Sequence, residues 1–130
     1  ITTDNDGNIW IGTRVAEKDN ADIKERIGEG GLNKYDGFKV IHFPEINGLY
    51  QSDVFAVYKD NSNSLWIGTT SNGVYNYTNN EFINYKVPAS TMSVMKDITG
   101  KIWLGCAGGL YALNKDGEVI NVMTNGMNEP

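Results

Sequence analysis

The chain offers few side chains that could perform a reaction. Among its 130 residues there is one histidine, His42, and one cysteine, Cys106. A cysteine nucleophile needs a neighbouring base or positive charge that lowers its pKa, and the sequence holds no second histidine or cysteine for that purpose. We therefore expect Cys106 to be a small packed residue and His42 to be a surface residue of an outer strand.

The carboxylates do not form a recognisable catalytic or metal-binding pattern. Hydrolysis of a glycoside requires two carboxyl groups at a defined separation. The candidates are Glu17, Glu25, Glu29 and Asp53, but no motif pairs any two of them. The acidic run 4–8 could suggest a calcium loop, yet it lacks a third acidic ligand and a later glutamate. An aspartate that caps its own turn is the simpler interpretation. We expect no catalytic residues, no bound metal and no cofactor in this chain.

Ligand recognition has better support in the sequence. Tyr50 provides a ring that can stack on a sugar, and three further residues carry guanidinium or amide groups that can hydrogen-bond to sugar hydroxyls. Those three residues are Arg14, Asn47 and Gln51. Together with Tyr50 they form the candidate ligand-binding set. Arg14 is distant in sequence from the other three, so the elements that would bring it near them have to be identified.

A repeated motif organises the whole chain. All three tryptophans occupy the same position of this motif. Its three copies are Asn8-Ile9-Trp10-Ile11-Gly12-Thr13, Ser64-Leu65-Trp66-Ile67-Gly68-Thr69 and Lys101-Ile102-Trp103-Leu104-Gly105-Cys106. Repetition at one structural position indicates that the rings belong to a packed core and not to a binding surface. A glycine follows two residues after each ring, where a missing side chain would let a neighbouring sheet approach. These glycines are Gly12, Gly68 and Gly105.

Each tryptophan motif lies within a unit of four short extended segments. Apolar and polar residues alternate along these segments, which is typical of half-buried strands. Turns rich in Asp, Asn and Gly separate the segments and can adopt the positive φ of tight hairpins. Four strands in roughly 40 residues is the size of one β-propeller blade. The sequence therefore predicts an all-β chain of about three four-stranded antiparallel blades. We expect one repeat region over 1–130, with blades of approximately 1–52, 53–90 and 91–130.

The repeats resemble the two-component regulator propeller repeat. The resemblance rests on the pattern Asp-x-x-Gly-x-[IL]-Trp-[IL]-Gly-Thr followed by a Gly-Leu-Tyr strand, which the chain approaches three times over almost its whole length. Cys106 stands in place of a threonine, Lys34 stands in place of an aromatic residue, and the second unit has no glycine in its first turn. The resemblance implies a non-catalytic, periplasmic, ligand-sensing segment of a hybrid two-component regulator. It further implies an oligosaccharide ligand and a histidine kinase outside this chain.

Two extensions interrupt the regular repeat. The first, 14–30, joins the second and third strands of the first blade, and the second, 44–53, joins the first blade to the next. In a propeller these two kinds of connection emerge on the same face of the disc, so the candidate ligand-binding residues should share one enlarged rim. The segment 16–26 also has helical propensity. We expect it to be either a solvated loop with a helical turn or an excursion that faces a ligand or partner.

Charge and length restrict the expected partners. The net charge of −5 disfavours nucleic acid and anionic membranes as partners. No apolar run is long enough for this segment to insert into a membrane. Three blades cannot close a ring and would leave sheet faces exposed. We therefore expect either self-association or contact with the remaining blades of a longer protein.

Two other functions stay open on the sequence alone. A protein–protein interaction propeller would differ from a ligand sensor only in what it binds. A propeller lyase or glycosidase would need paired catalytic groups, for which the sequence gives no pattern.

Overall fold

The computed structural model describes residues 1–14, 16–17, 26–27, 30–50 and 53–123, and the regular elements within these ranges are β-strands. In chain order the strands are β1 (Thr2–Thr3), β2 (Ile9–Thr13), β3 (Ala16–Glu17), β4 (Arg26–Ile27), β5 (Gly31–Tyr35), β6 (Val40–Phe43), β7 (Glu45–Ile46), β8 (Leu49–Tyr50), β9 (Val54–Lys59), β10 (Leu65–Thr69), β11 (Val74–Thr78), β12 (Glu81–Tyr85), β13 (Thr91–Lys96), β14 (Ile102–Cys106), β15 (Gly109–Leu113) and β16 (Val119–Asn121). The predicted all-β class is confirmed.

Three four-stranded antiparallel sheets contain most of these strands. Sheet 1 has the strand order β1-β2-β5-β6, sheet 2 has the order β9-β10-β11-β12, and sheet 3 has the order β13-β14-β15-β16. Neighbouring strands within each sheet pair antiparallel. Each tryptophan motif forms the second strand of its sheet, as the alternation of apolar residues predicts. The prediction of three four-stranded units is confirmed.

The first turn of each sheet needs one residue with positive φ. Gly7 in sheet 1 has φ +85° and Gly100 in sheet 3 has φ +91°. Sheet 2 has no glycine at this turn, and Asn63 takes the conformation instead with φ 61°. Asparagine tolerates the left-handed region better than most residues with a side chain, so the turn keeps its shape without glycine.

The three sheets pack face to face through two hydrophobic interfaces. Interface A, between sheets 1 and 2, buries Trp10, Leu32, Ile46, Val54, Leu65, Ile67 and Tyr75. Interface B, between sheets 2 and 3, buries Trp66, Val74, Val94, Ile102, Leu104 and Leu113. Side chains alternate along β10, so Trp66 faces sheet 3 whereas Leu65 and Ile67 face sheet 1. Sheet 2 is therefore covered on both faces.

The glycines after Trp10 and Trp66 lie where the next sheet comes closest. A Cβ atom on Gly12 would stand 2.6 Å from the carbonyl oxygen of Val54, the first residue of β9. A Cβ atom on Gly68 would stand 2.9 Å from Cγ2 of Thr91, the first residue of β13. Only glycine allows this separation without a shift of the neighbouring strand.

The two extensions form short hairpins. Strands β3 and β4 pair antiparallel in the first extension, and β7 and β8 pair antiparallel in the second. The segment 16–26, for which a loop with a helical turn is one expectation, begins and ends in paired strands, because cross-strand pairing replaces the local helical preference at those positions. Residues 18–25, between the paired ends, lie outside the described residues.

Sheets 1 and 3 each have one face that no other sheet covers within the described part of the chain. Cross-strand partners share a face of a sheet. On sheet 1 that face includes Ile9, Tyr35 and Val40. On sheet 3 it includes Met95 and Trp103, which are direct cross-strand partners. Met95 is 62% exposed.

Candidate functional site

Each tryptophan is tied to an aspartate that ends the preceding strand. The indole Nε1 donates a hydrogen bond to Oδ2 of that aspartate in all three sheets. The distances are 2.8 Å for Trp10 and Asp4, 3.0 Å for Trp66 and Asp60, and 2.7 Å for Trp103 and Asp97. The other oxygen, Oδ1, accepts hydrogen bonds from backbone N–H groups of its own turn. The sequence predicts the turn cap but misses the indole bond, although the constant spacing from aspartate to tryptophan was visible.

These hydrogen bonds stabilise the charged form of the carboxylates. Burial raises the pKa of Asp4 and Asp60, but the hydrogen bonds from the indole and backbone N–H groups outweigh it, so the pKa of each is lowered. Hydrogen bonds from the side chains of Thr99 and Trp103 lower the pKa of Asp97. Both oxygens of each carboxylate accept hydrogen bonds, so each aspartate ties the indole and its own turn to the end of the preceding strand.

The extension rim is the edge of the sheets that carries the β3–β4 and β7–β8 hairpins. Arg14 lies at its base, directly after β2, and forms an isolated bridge with Asp53. Its Nε atom is 3.8 Å from Oδ1 of Asp53, and its guanidinium carbon lies 5.0 Å from the ring centroid of Phe55. Asp53 is buried while Arg14 is largely exposed. The Arg14 guanidinium is thus held in place yet still accessible from solvent.

The other predicted ligand-binding residues lie on the β7–β8 hairpin or just beyond it. Asn47 occupies the hairpin turn with φ 52°, and its Nδ2 donates to the carbonyl oxygen of Phe82 at 2.7 Å. This bond fixes the hairpin to β12. The backbone of Tyr50 pairs with Glu45, while the Tyr50 side chain and all of Gln51 lie outside the described residues. Arg14 and Asn47 therefore share the rim but are anchored to β9 and β12 respectively.

An open cavity of about 280 Å³ lies beside the β7–β8 hairpin on the extension rim. Its lining consists of Leu49, Ser71, Asn72, Gly73, Asn84, Lys86 and Val87. Asn84 is held in the wall, because its Nδ2 donates to the carbonyl oxygen of Asn72 at 2.7 Å. Neither Arg14 nor Asn47 lines this cavity. Sequence reasoning missed its polar groups because it gave weight only to the two extensions.

Two further clefts lie at the turn rim, the opposite edge, where the Asp- and Asn-rich turns of neighbouring sheets meet. Cleft A, about 210 Å³, is lined by Asp4, Asp6, Asn8, Trp10, Lys34, Asn63, Leu65, Tyr77, Thr78, Asn79 and Asn80. Cleft B, about 450 Å³, is lined by Trp66, Tyr85, Thr99, Gly100, Lys101, Ile102, Leu113, Asn114, Lys115 and Gly117. They occupy equivalent positions at interfaces A and B. No local sequence pattern predicts either cleft, because their walls come from turns far apart in the chain.

The two residues that could have suggested catalysis are engaged in local contacts. Nδ1 of the half-buried His42 is 2.8 Å from Oδ1 of Asn33 on the adjacent strand. Cys106 is half-buried, with Sγ 3.8 Å from the hydroxyl of Thr91. Burial raises the pKa of the Cys106 thiol, which reduces its nucleophilic thiolate form at neutral pH. Neither geometry resembles an activated nucleophile.

The residue ranges that the structure describes show neither a candidate metal site nor a candidate membrane-spanning helix. They contain no group of three or more His, Cys, Asp or Glu residues that could hold a metal ion. A helix with the length and apolar character to cross a membrane is likewise not found among them.

Comparison with known proteins agrees with the repeat motif. Residues 1–14 and 48–71 match the family model described as two component regulator propeller. The matched segments include the first two tryptophan motifs, which form β2 and β10. No curated protein matches the chain.

Proposed function

Because residues 1–14 and 48–71 match the family model described as two component regulator propeller, we propose that the chain is a non-catalytic, ligand-sensing segment of a periplasmic two-component regulator and that its ligand is an oligosaccharide. Signal output would come from a histidine kinase located outside this chain. The observation that carries the proposal is the pair of extra hairpins, β3–β4 and β7–β8, which enlarge one rim of an otherwise regular repeat.

The extension rim combines firm attachment with accessible polar groups. The β7–β8 hairpin is bound to β12 through Asn47, and Arg14 is bound to Asp53 and Phe55. A surface that is held in place before binding loses less conformational entropy when a ligand arrives. The neighbouring cavity adds the ammonium group of Lys86 and the amides of Asn72 and Asn84. Groups of these types recognise sugar hydroxyls.

Calorimetric titration with a panel of plant oligosaccharides tests this proposal. We expect at least one member of the panel to bind, and Arg14→Ala, Tyr50→Ala and Lys86→Ala each to weaken that binding by about tenfold, the loss expected for one good polar or stacking contact. Lys39→Ala is the matched control, because Lys39 lies in the β5–β6 turn on the opposite rim. Binding that is unaffected by every rim variant would contradict the site, and turnover of a chromogenic glycoside would contradict the non-catalytic assignment.

The open face of sheet 3 favours a second candidate function, a protein–protein interaction propeller. Trp103 and Met95 lie side by side on this face, and within the described residues no other sheet covers them. Exposed apolar patches on a sheet face commonly mark interaction sites. A second copy of the chain is the partner for which the face is best suited, since interface A shows the tryptophan face of one sheet packed against the Leu65 and Ile67 face of the next.

Light scattering coupled to size-exclusion chromatography distinguishes this candidate from ligand sensing alone. We expect the mass to rise with concentration in the unmodified chain and to stay monomeric in Met95→Lys, because a buried lysine at that face has no partner. Ile83→Lys is the control, since Ile83 is exposed and belongs to β12 of sheet 2, which is covered on both faces. A monomer at all concentrations would remove this candidate while leaving the ligand-binding proposal intact.

A further inference from the structure

Clefts A and B occupy the same position at two successive interfaces, yet cleft B is about twice as large. A cross-strand pair beside each cleft differs between the two interfaces. In sheet 2 the pair is Tyr77 and Phe82, whose ring centroids are 4.5 Å apart. In sheet 3 the equivalent pair is Leu113 and Val119. Two aliphatic side chains at interface B therefore take the place of two aromatic rings at interface A.

The smaller pair leaves the tryptophan beside it less covered. Tyr77 contacts Trp10 with a centroid distance of 5.2 Å, and Trp10 is 1% exposed. At interface B the position equivalent to Tyr77 is Leu113, which packs in the same cluster as Trp66. Trp66 is 8% exposed. Tyr85 stacks on Trp66 at 6.1 Å with an interplanar angle of 29°. Cleft B is consequently an opening of about 450 Å³ with two aromatic rings in its lining.

The polar lining of cleft B differs in charge from that of cleft A. Cleft A contains the carboxylates of Asp4 and Asp6 beside one lysine. The charged residues that line cleft B are both lysines, Lys101 and Lys115. The ammonium of Lys101 lies 4.9 Å from the ring centroid of Trp103, so Lys115 is the cation that remains for a ligand in the cleft. Asn114 and Thr99 add polar groups to the same wall.

We propose that cleft B binds a small ring that carries a carboxylate, with the ring against Trp66 and Tyr85 and the carboxylate near Lys115. The cleft volume falls in the range of small-ligand sites, which are mostly apolar with a few polar groups that fix orientation. A uronic acid and an aromatic acid both present this chemistry. This proposal does not rest on the oligosaccharide proposal, because cleft B shares no lining residue with the cavity on the extension rim.

Quenching of tryptophan fluorescence and calorimetry can test this site with glucuronate, galacturonate and benzoate as probes and glucose as the uncharged control. We expect one or more of the carboxylates to bind and glucose to bind at least tenfold more weakly. Binding of a uronate would identify the ring as a sugar, and binding of benzoate would identify it as aromatic. Absence of binding by all three carboxylates, or equal binding of glucose and glucuronate, would overturn the proposal.

Two variants locate the binding in the cleft. Leu113→Tyr places at interface B the ring that Tyr77 provides at interface A, and we expect it to reduce binding at least tenfold while the circular dichroism spectrum is unchanged. Lys115→Gln removes only the charge of an exposed side chain, so folding is not at risk, and we expect about tenfold weaker carboxylate binding. Lys39→Gln, in the β5–β6 turn and outside the lining of cleft B, should bind normally. Carboxylate binding that persists in Lys115→Gln and in a folded Leu113→Tyr variant would place the ligand elsewhere and refute this assignment.

Discussion

Interfaces A and B use the same backbone arrangement but different side chains. At interface A, Trp10 is enclosed by rings from both sheets, Phe43 on one side and Tyr77 on the other. At interface B, Trp66 has an aromatic neighbour only from its own sheet, Tyr85, among the ring contacts of the described residues. The repeat thus fixes where each tryptophan lies, whereas the cross-strand pair that faces it from the next sheet is aromatic beside the smaller cleft and aliphatic beside the larger one.

A lysine crosses each interface at the turn rim, and its partner also differs. Lys59 of sheet 2 donates to Oδ1 of Asn5 in sheet 1 at 2.9 Å. Lys96 of sheet 3 donates to the hydroxyl of Ser62 at 3.2 Å and lies 3.7 Å from Oδ2 of Asp60. Interface B thus has an ion pair where interface A has a neutral acceptor. Ring contacts between neighbouring sheets, in turn, occur at interface A, between Trp10 and Tyr77 and between Phe43 and Phe82.

Removal of a tryptophan should have the largest effect on stability, and the loss should be greater for a ring that is more completely enclosed. We expect Trp10→Ala to lower the free energy of unfolding by about 3–5 kcal/mol, the cost of removing a large buried aromatic side chain. Trp103→Ala should cost only about 1–2 kcal/mol, because the ring lies on the open face of sheet 3 and loses mainly its bond to Asp97 and its contact with the Lys101 ammonium. Urea denaturation followed by circular dichroism measures both values.

A smaller effect is expected when the cross-strand pair is exchanged between the interfaces. Tyr77→Leu should destabilise the protein by about 1–3 kcal/mol, because it removes the ring contacts with Trp10 and Phe82. Leu113→Tyr should change stability by less than about 1 kcal/mol, because cleft B has room for the ring. Thermal unfolding of the two variants in parallel provides the comparison. If Leu113→Tyr proves as destabilising as Tyr77→Leu, cleft B is not the available space that the structure shows.

The smallest effect concerns pH. The folded-state pKa of Asp4, Asp60 and Asp97 lies below the unfolded value of about 3.9. The stability that these groups provide is therefore fully present above about pH 4 and is lost as pH falls through the folded-state pKa. We expect a level melting temperature from pH 7 to pH 5 and a decline below pH 4. Asp60→Asn should reduce the fall in melting temperature below pH 4 more than the surface variant Asp6→Asn does. Melting curves recorded at several pH values measure this difference.

The repeat made most of the fold predictable from the sequence. Three copies of one motif gave the second strand of each sheet, and the turn residues gave the hairpins on either side. The β3–β4 hairpin was not predictable, because Ala16, Glu17 and Arg26 have helical preference and their pairing depends on where the ends of the extension are held. Local propensity is weak compared with such constraints.

The candidate sites were less accessible to sequence reasoning than the fold. Arg14 and Asn47 were placed on the correct rim, since the order of strands in a blade fixes where each connection emerges. Their partners, Asp53 with Phe55 and the Phe82 carbonyl group, depend on packing that no local pattern encodes. Cleft B could have been suspected from the alignment of the repeats, which sets Leu113 against Tyr77, but the consequence of that exchange appears only when the next sheet is in place.

The open faces of sheets 1 and 3 are unlike, and this gives the stack a direction. Copies that join with the geometry of interfaces A and B would place the Trp103 face of one against the Ile9 face of another, a heterologous contact that either closes into a ring or continues as a filament. Blocking one end therefore leaves the other functional. A Met95→Lys variant and a Val40→Lys variant should each remain monomeric alone. When the two are mixed, they should form a heterodimer and no larger assembly.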